Sequence, residues 1–249
     1  LPRLGTGESD PGQVRTLSTS HRPLTITMTF WLTCSPAPLL LSLQVAGVVL
    51  VLFLVAGIAL GYALSQPIPL RGLLDALVSL PLVFPPIAIG FFLLMLFGRH
   101  GVIGGPLHTW IGWDLVFSFP ALVVAAFIAG LPLVVKPIQS AIEGSARDLI
   151  EVSHTLGKGR LATLFLVVFP IIRRNILAGL TLGVGRSFGE VGITLMLGGN
   201  LLGSTETLSL AIYNQVLDGN FDCATRLSLL LGLLSLGLFL LLRWLGRVG

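Results

Sequence analysis

Apolar residues run along this chain in long unbroken stretches, and polar residues gather between them. Ala37 to Leu64 holds no charged residue over 28 positions, where about 20 apolar residues suffice to cross a hydrocarbon core of ~30 Å. It predicts a first membrane-spanning helix. Gly57-x-x-x-Gly61 within it is a spacing that lets helices approach closely in lipid. Ala76 to Phe97 is again uncharged but holds Pro81, Pro85 and Pro86. In water three prolines would argue against a helix. In a bundle, neighbours can satisfy the freed carbonyls, so a kinked or irregularly started second span is predicted. A glycine-rich loop, Gly98 to Asp114, separates it from a third span, Leu115 to Val135, which holds Pro120 and Pro132. Ile176 to Leu197 is a fourth span and carries Arg186 and Glu190. Leu227 to Leu242 is a short last span, and Arg226 and Arg243 at its ends can snorkel to the two interfaces. The expected fold is all-α, a polytopic transmembrane bundle of five or six spans. A sixth span has room after residue 198 or within 161–175.

Between the third and fourth spans the pattern changes. Glu143, Arg147, Glu151 and His154 recur at helical spacing on one face, and Ile142, Ala146, Leu149, Ser153 and Leu156 fall on another. That describes an amphipathic helix outside the spans. Glu143–Arg147 and Arg147–Glu151 are i,i+4 pairs worth roughly 0.2–0.5 kcal/mol each. Gly157-Lys158-Gly159 ends the helix. Leu161 to Phe169 is apolar but too short to cross, and Pro170 with Arg173-Arg174 is expected to stop it. Residues 1–27 show no apolar periodicity and lack the apolar core of a signal peptide. They are expected to be a disordered tail or an extension upstream of the true start, with 28–249 as the membrane domain.

Composition agrees with the spans. The chain is 54% hydrophobic and 10% charged, against about 25% charged in soluble domains. Lipid must therefore cover part of its surface. The net charge of +4 is not arranged as a basic stripe interleaved with aromatics, so nucleic acid is not an expected partner. The basic residues instead set orientation. Loops on one side hold Arg71, Lys136, Arg147, Lys158, Arg160, Arg173, Arg174, Arg243 and Arg247, and the alternate loops hold Arg99 and Arg226. Nine against two places 136–175 in the cytoplasm. With five spans the N-terminus lies outside and the C-terminus inside, although Arg3, Arg15 and Arg22 of the tail run against this. Cys34 and Cys223 are far apart with no CxxC, so no disulfide scaffold or zinc site is expected and both read as small apolar residues. His21, His100, His108 and His154 show no metal-ligand spacing.

The cytoplasmic segment carries the most specific pattern. Glu151-Val152-Ser153 is followed by three residues, Gly157, nine residues, Val167, one residue, and Phe169-Pro170. This resembles the EAA motif of ABC importer permeases: E-A-A, three residues, G, nine residues, I-x-L-P. Val152 and Ser153 depart from the two alanines, and Val167 and Phe169 are apolar replacements. A short amphipathic helix ended by glycine can dock in a groove of another protein. The resemblance implies that it docks on the ATP-binding cassette ATPase subunit. Further blocks are similar to molybdate permeases. They are Leu80-Pro81-Leu82-Val83-Phe84-Pro85-Pro86 with Gly90-Phe91 and Leu96-Phe97-Gly98-Arg99; Arg186-Ser187-Phe188-Gly189-Glu190-Val191-Gly192; Gly198-Gly199-Asn200; and Thr207-Leu208-Ser209-Leu210-Ala211-Ile212-Tyr213. The family implies a homodimer in the bacterial inner membrane, an external substrate-binding protein and molybdate as substrate, with sulfate, thiosulfate or tungstate as the alternatives. Outer-loop Asp114 and Asp218 are expected near the binding protein's dock.

An importer needs an energy source. The nearest P-loop match, Gly198 to Gly203-Ser204-Thr205, has Ser204 where the lysine should stand, so the phosphates lose their main cation. No cofactor is expected on this chain, and ATP belongs to a partner ATPase. Arg186 and Glu190 are the ionisable pair within a span. A charge at the bilayer centre costs about 2.5–3.5 kcal/mol on insertion scales. Spaced four apart, the two can neutralise each other. They are candidates, with Gly189 and Asn200, for the translocation pathway or its gate, or else form a structural pair. Gly179-x-x-x-Gly183 and Gly185-x-x-x-Gly189 are expected to pack at a subunit interface. An intramembrane hydrolase would need a nucleophile or zinc constellation that these spans do not hold, and a channel would need no EAA helix.

Overall fold

The computed structural model describes residues 37–248, apart from the side chains of 145–148, 151, 154, 160, 161 and 245–248. The 1–27 tail, Cys34, and the side chains of Arg147, Glu151 and His154 lie outside the described residues. Among the described residues all regular elements are helical.

Helix α1, Ala37–Leu64, contains a π turn at Phe53–Gly57. Helices α2, Arg71–Val83, and α3, Pro86–Phe97, follow. Helix α4 is Gly104–Ile111 and α5 is Phe119–Ala141. A π segment, Ile142–Ala146, joins α5 to α6, Arg147–Thr155. A turn, Arg160–Thr163, and a π segment, Leu164–Val168, run into α7, Phe169–Phe188. Helices α8, Gly192–Gly198, α9, Leu208–Leu217, and α10, Phe221–Val248, complete the chain.

Four helical stretches are long and apolar enough to cross a membrane: Ala37–Leu64, Phe119–Gly144, Leu164–Phe188 and Phe221–Trp244. The predicted second span is instead two helices. Phe84 is extended because a residue before proline is pushed out of the α region, and Pro85-Pro86 restarts the chain with Pro86 at the first turn of α3. The expected loop 98–114 contains α4. The third span does not stop at Val135 but continues through Lys136 and Pro137 into the π segment Ile142–Ala146.

The fourth span is displaced toward the N-terminus. Leu161 to Phe169 is not a separate short stretch, and Pro170 does not stop it. Pro170 sits in the first turn of α7, and helical structure is continuous from Arg160 to Phe188. The chain then breaks at Gly189–Val191, so Leu195 and Leu197 belong to α8. Cys223, expected as a plain apolar residue, is disulfide-bonded.

Helix α5 is the centre of the packing, with 61% of its apolar window buried, against 11% for α10. Val134 and Ile138 of α5 sit fully buried with Val49 and Phe53 of α1 and Ile172, Leu180 and Val184 of α7. Small residues allow the close approach. A Cβ on Gly57 would stand 2.9 Å from Val134, and one on Gly61 2.7 Å from Ile138. Gly179 and Gly183 face Val134 in the same way. That pair therefore packs within the chain, not at the subunit interface expected for it, whereas Gly185 and Gly189 meet no side chain. On α10, Leu229, Leu233, Leu236 and Leu240 form an exposed apolar stripe of the kind lipid covers.

Candidate functional site

The segment after α5 carries a short helix, α6, whose Ile150 packs against the main core. Helix α6 ends at Gly157, whose φ of +75° is the left-handed value that favours glycine. Lys158 N–H donates to the Ser153 carbonyl at 3.1 Å and Leu156 N–H to the Val152 carbonyl at 3.1 Å, closing the helix end. No atom stands within 4 Å of a Cβ built on Gly157, so conformation and not crowding demands glycine there. Ser153 is buried, and its Oγ lies 2.9 Å from Thr163 Oγ1. This hydroxyl pair ties α6 to the turn leading into α7.

With Ser153 inward, Leu149, Val152 and Leu156 are exposed to 47, 52 and 73%. They stand three and four residues apart, one edge of a helix. Sequence periodicity assigned Ser153 to this apolar face; the structure turns Ser153 inward and brings Val152 outward. Val167 and Phe169 are half-buried along the entry to α7, and Pro170 is exposed. The motif residues thus serve two ends of one lever: an exposed edge at 149–156 and a helical stem at 164–170.

Two contacts at the base of this lever were not legible in the sequence. Arg71 at the start of α2 is ion-paired to Glu143 in the π segment, and Gln139 Nε2 donates to the same Glu143 at 3.1 Å. Lys136 Nζ donates to Asp75 Oδ1 at 2.6 Å. Residues 61 and 72 positions apart leave no local spacing to read.

Arg186 and Glu190 meet as an i,i+4 pair at 2.7 Å. Their surroundings differ. The Glu190 side chain is 1% exposed and that of Arg186 35%. Glu190 Oε1 also accepts from Ile193 N–H at 2.8 Å, which caps α8, and its carbonyl accepts from Ser209 Oγ at 3.1 Å. Ser42, Ser187, Thr194, Thr207 and Ser209 surround it at a cavity of about 20 Å³, room for one water. Ser42 Oγ accepts from Leu208 N–H at 2.8 Å, joining α1 to α9. Glu190 therefore lies where α7, α8, α9 and α1 converge. The hydroxyls that complete this hub were missed because scattered Ser and Thr carry no spacing signal.

Gly189 is exposed beside this pair. Asn200 is elsewhere, on the turn after α8, with φ of +51°. It exchanges two hydrogen bonds with Asn214, at 2.7 and 3.1 Å, and Asn214 also donates to Glu206 at 2.8 Å. Near it Phe117 covers Gly199, and Phe117 N–H donates to the Leu197 carbonyl at 2.9 Å. Of the expected outer-loop acids, Asp114 accepts from Arg99 Nη2 at 2.6 Å and lies 2.9 Å from His108 Nδ1. The Arg99 hydrogen bond holds the Asp114 carboxyl below the usual carboxylate range. Asp218 is exposed beyond the end of α9. Among the described residues no three His, Cys, Asp or Glu side chains gather as metal ligands.

Comparison with known proteins adds the family. Residues 27–248 match the model of the binding-protein-dependent transport system inner membrane component. The molybdenum transport system permease protein ModB of Escherichia coli (strain K12) is 35% identical over 211 residues, 84% of this chain and 92% of that protein. ModB of Azotobacter vinelandii is 39% identical over 182 residues, 72% and 80% of the two chains. Among solved structures, a bacterial ABC transporter involved in the import of the acidic polysaccharide alginate superposes with a TM-score of 0.66 at 18% identity, over 85% of this chain and 78% of that one.

Proposed function

We propose that this chain, which belongs to the family of binding-protein-dependent transport system inner membrane components, is the multi-pass permease subunit of a molybdate importer. The relatives that are 35 and 39% identical over 211 and 182 aligned residues are molybdenum permeases, which supports molybdate over other oxyanions. The single observation that carries the mechanism is the exposed edge Leu149–Val152–Leu156 on α6. Three apolar side chains turned outward, on a helix clamped by Ser153–Thr163 and a left-handed Gly157, suit a docking surface for another protein.

The occupant in this reading is the ATPase subunit, which binds and hydrolyses ATP; this chain supplies the path and no catalysis. Movement of α6 reaches the spans by two routes. One is the continuous helix from Arg160 through α7, and the other is the π segment held to α2 by Arg71–Glu143. A second copy of the chain completes the pore, since one bundle provides half of it. The basic side of the chain faces the cytoplasm. Helices α2 and α3 form an interrupted span beside the four long ones, which sets the N-terminal end of the bundle outside and the C-terminus inside. The substrate-binding protein docks on the outer loops around Asp114 and Asn200. Arg186 and Glu190 act in this account as a positioning pair that holds the α7–α8 break near the path.

The test is ATPase stimulation in a reconstituted complex of this chain, its ATPase and its binding protein. Binding protein loaded with molybdate should raise hydrolysis, and Val152→Asp should abolish the rise while leaving basal ATPase activity intact. Stimulation by sulfate-loaded and not molybdate-loaded binding protein would reassign the substrate. Stimulation unchanged by Val152→Asp would remove α6 as the coupling element.

A further inference from the structure

Helices α7 and α10 enclose a groove of about 600 Å³ that no feature above uses. Leu177, Ala178 and Leu182 line it from α7 and Phe239 from α10, with Arg174 and Arg243 on the same groove. The two helices pack against each other within the chain. Arg243 closes the uncharged run Leu227–Leu242 of α10, so Arg174 beside the same groove lies at that depth on α7. From Arg174 to Leu182 the groove runs about 12 Å at 1.5 Å per residue.

Charge sets these arginines apart. Arg71, Arg99, Lys136 and Arg186 each hold a carboxylate. Arg174 and Arg243 have no ion pair among the described residues, and both are exposed. Two unpaired guanidiniums on one groove repel each other unless an anion sits with them. A guanidinium fork matches phosphate oxygens in particular. A free oxyanion would use the arginines and leave the Leu, Ala and Phe walls unoccupied. A phosphodiester carrying acyl chains uses both.

We propose that this groove binds one anionic phospholipid, its phosphate bridged by Arg174 and Arg243 and an acyl chain laid along Leu177, Ala178, Leu182 and Phe239. Basic pockets between membrane helices at the anionic leaflet suit such headgroups. The site does not depend on which substrate the transporter carries. The orientation proposed above decides only that the cytoplasmic leaflet supplies the lipid.

Native mass spectrometry of the detergent-purified complex with its ATPase, titrated with phosphatidylglycerol and separately with phosphatidylcholine, tests it. Phosphatidylglycerol should bind tighter and saturably. Arg174→Ala with Arg243→Ala should weaken it about thirtyfold, roughly fivefold per arginine, with little effect on phosphatidylcholine. Ala178→Trp fills the groove without touching charge and should exclude both lipids. Equal affinity for the two lipids, or full phosphatidylglycerol affinity in the double variant, overturns the proposal. So does displacement of the lipid by inorganic molybdate, which would make the arginines an oxyanion station. A photo-crosslinker at position 178 that captures a second copy of the chain would overturn it in favour of a subunit interface.

Discussion

Removing one charge at a time from the Arg186–Glu190 pair should give unequal losses, because burial is unequal. Glu190 is almost wholly enclosed and Arg186 about one third exposed. Arg186→Gln strands a buried carboxylate, and breaking a buried pair from that side costs about 3–5 kcal/mol. Glu190→Gln leaves an arginine that can turn to water, and the new amide oxygen can still accept from Ile193 N–H. That change forfeits the charge-assisted part of one hydrogen bond, about 1–2 kcal/mol. The double variant carries no stranded charge and should cost only about 2 kcal/mol. Arg186→Gln alone is therefore less stable than Arg186→Gln with Glu190→Gln, and the cycle yields a favourable coupling of about 3 kcal/mol. Reversible unfolding in mixed detergent micelles, followed by helical circular dichroism, measures all four proteins. Equal single losses that add in the double variant would refute the reasoning. They would mean that both charges stand in water, as side chains on an open path would.

Three further outcomes follow from particular contacts. Gly157→Val places a β-branched residue at φ +75°, at a local cost of about 1–2 kcal/mol; purified permease should remain folded by circular dichroism but lose co-purification with the ATPase. Gly61→Leu drives a side chain into Ile138, where the first added carbon already stands 2.7 Å away. Overpacking should cost about 1–3 kcal/mol in the same unfolding assay, whereas Gly47→Leu, with open space around it, should be near neutral. Asp114 is held below the ordinary carboxylate range by Arg99. Its contribution is thus fully present above the ordinary carboxylate pKa and lost as pH falls through the lowered value. Emission from the nearby Trp113 should change over that acid interval in the natural protein and not in Asp114→Asn.

Much of this architecture was legible because lipid imposes a coarse rule. Long uncharged stretches marked α1, α5 and α10 directly. The errors came where proline and arginine were read by the rules of water. Pro170 looked like a stop but occupies a first turn, where a missing N–H costs nothing. The Arg173-Arg174 pair then looked like the end of a helix, whereas the helix runs through it without a break. The short helix α6 was readable from the helical periodicity and Gly157, yet which face it exposes was not, because Ser153 turns inward to meet Thr163. The Glu190 hub depended on Ser42, Thr207 and Ser209 arriving from distant segments. Only their convergence in space makes them a site.

The most direct measurement is uptake of labelled molybdate into proteoliposomes containing this chain, its ATPase and its binding protein. The account predicts ATP-dependent uptake that tungstate competes with and sulfate does not, and that Val152→Asp eliminates. ATP-dependent uptake blocked by sulfate would contradict the substrate, and no ATP-dependent uptake of any oxyanion would contradict the central claim.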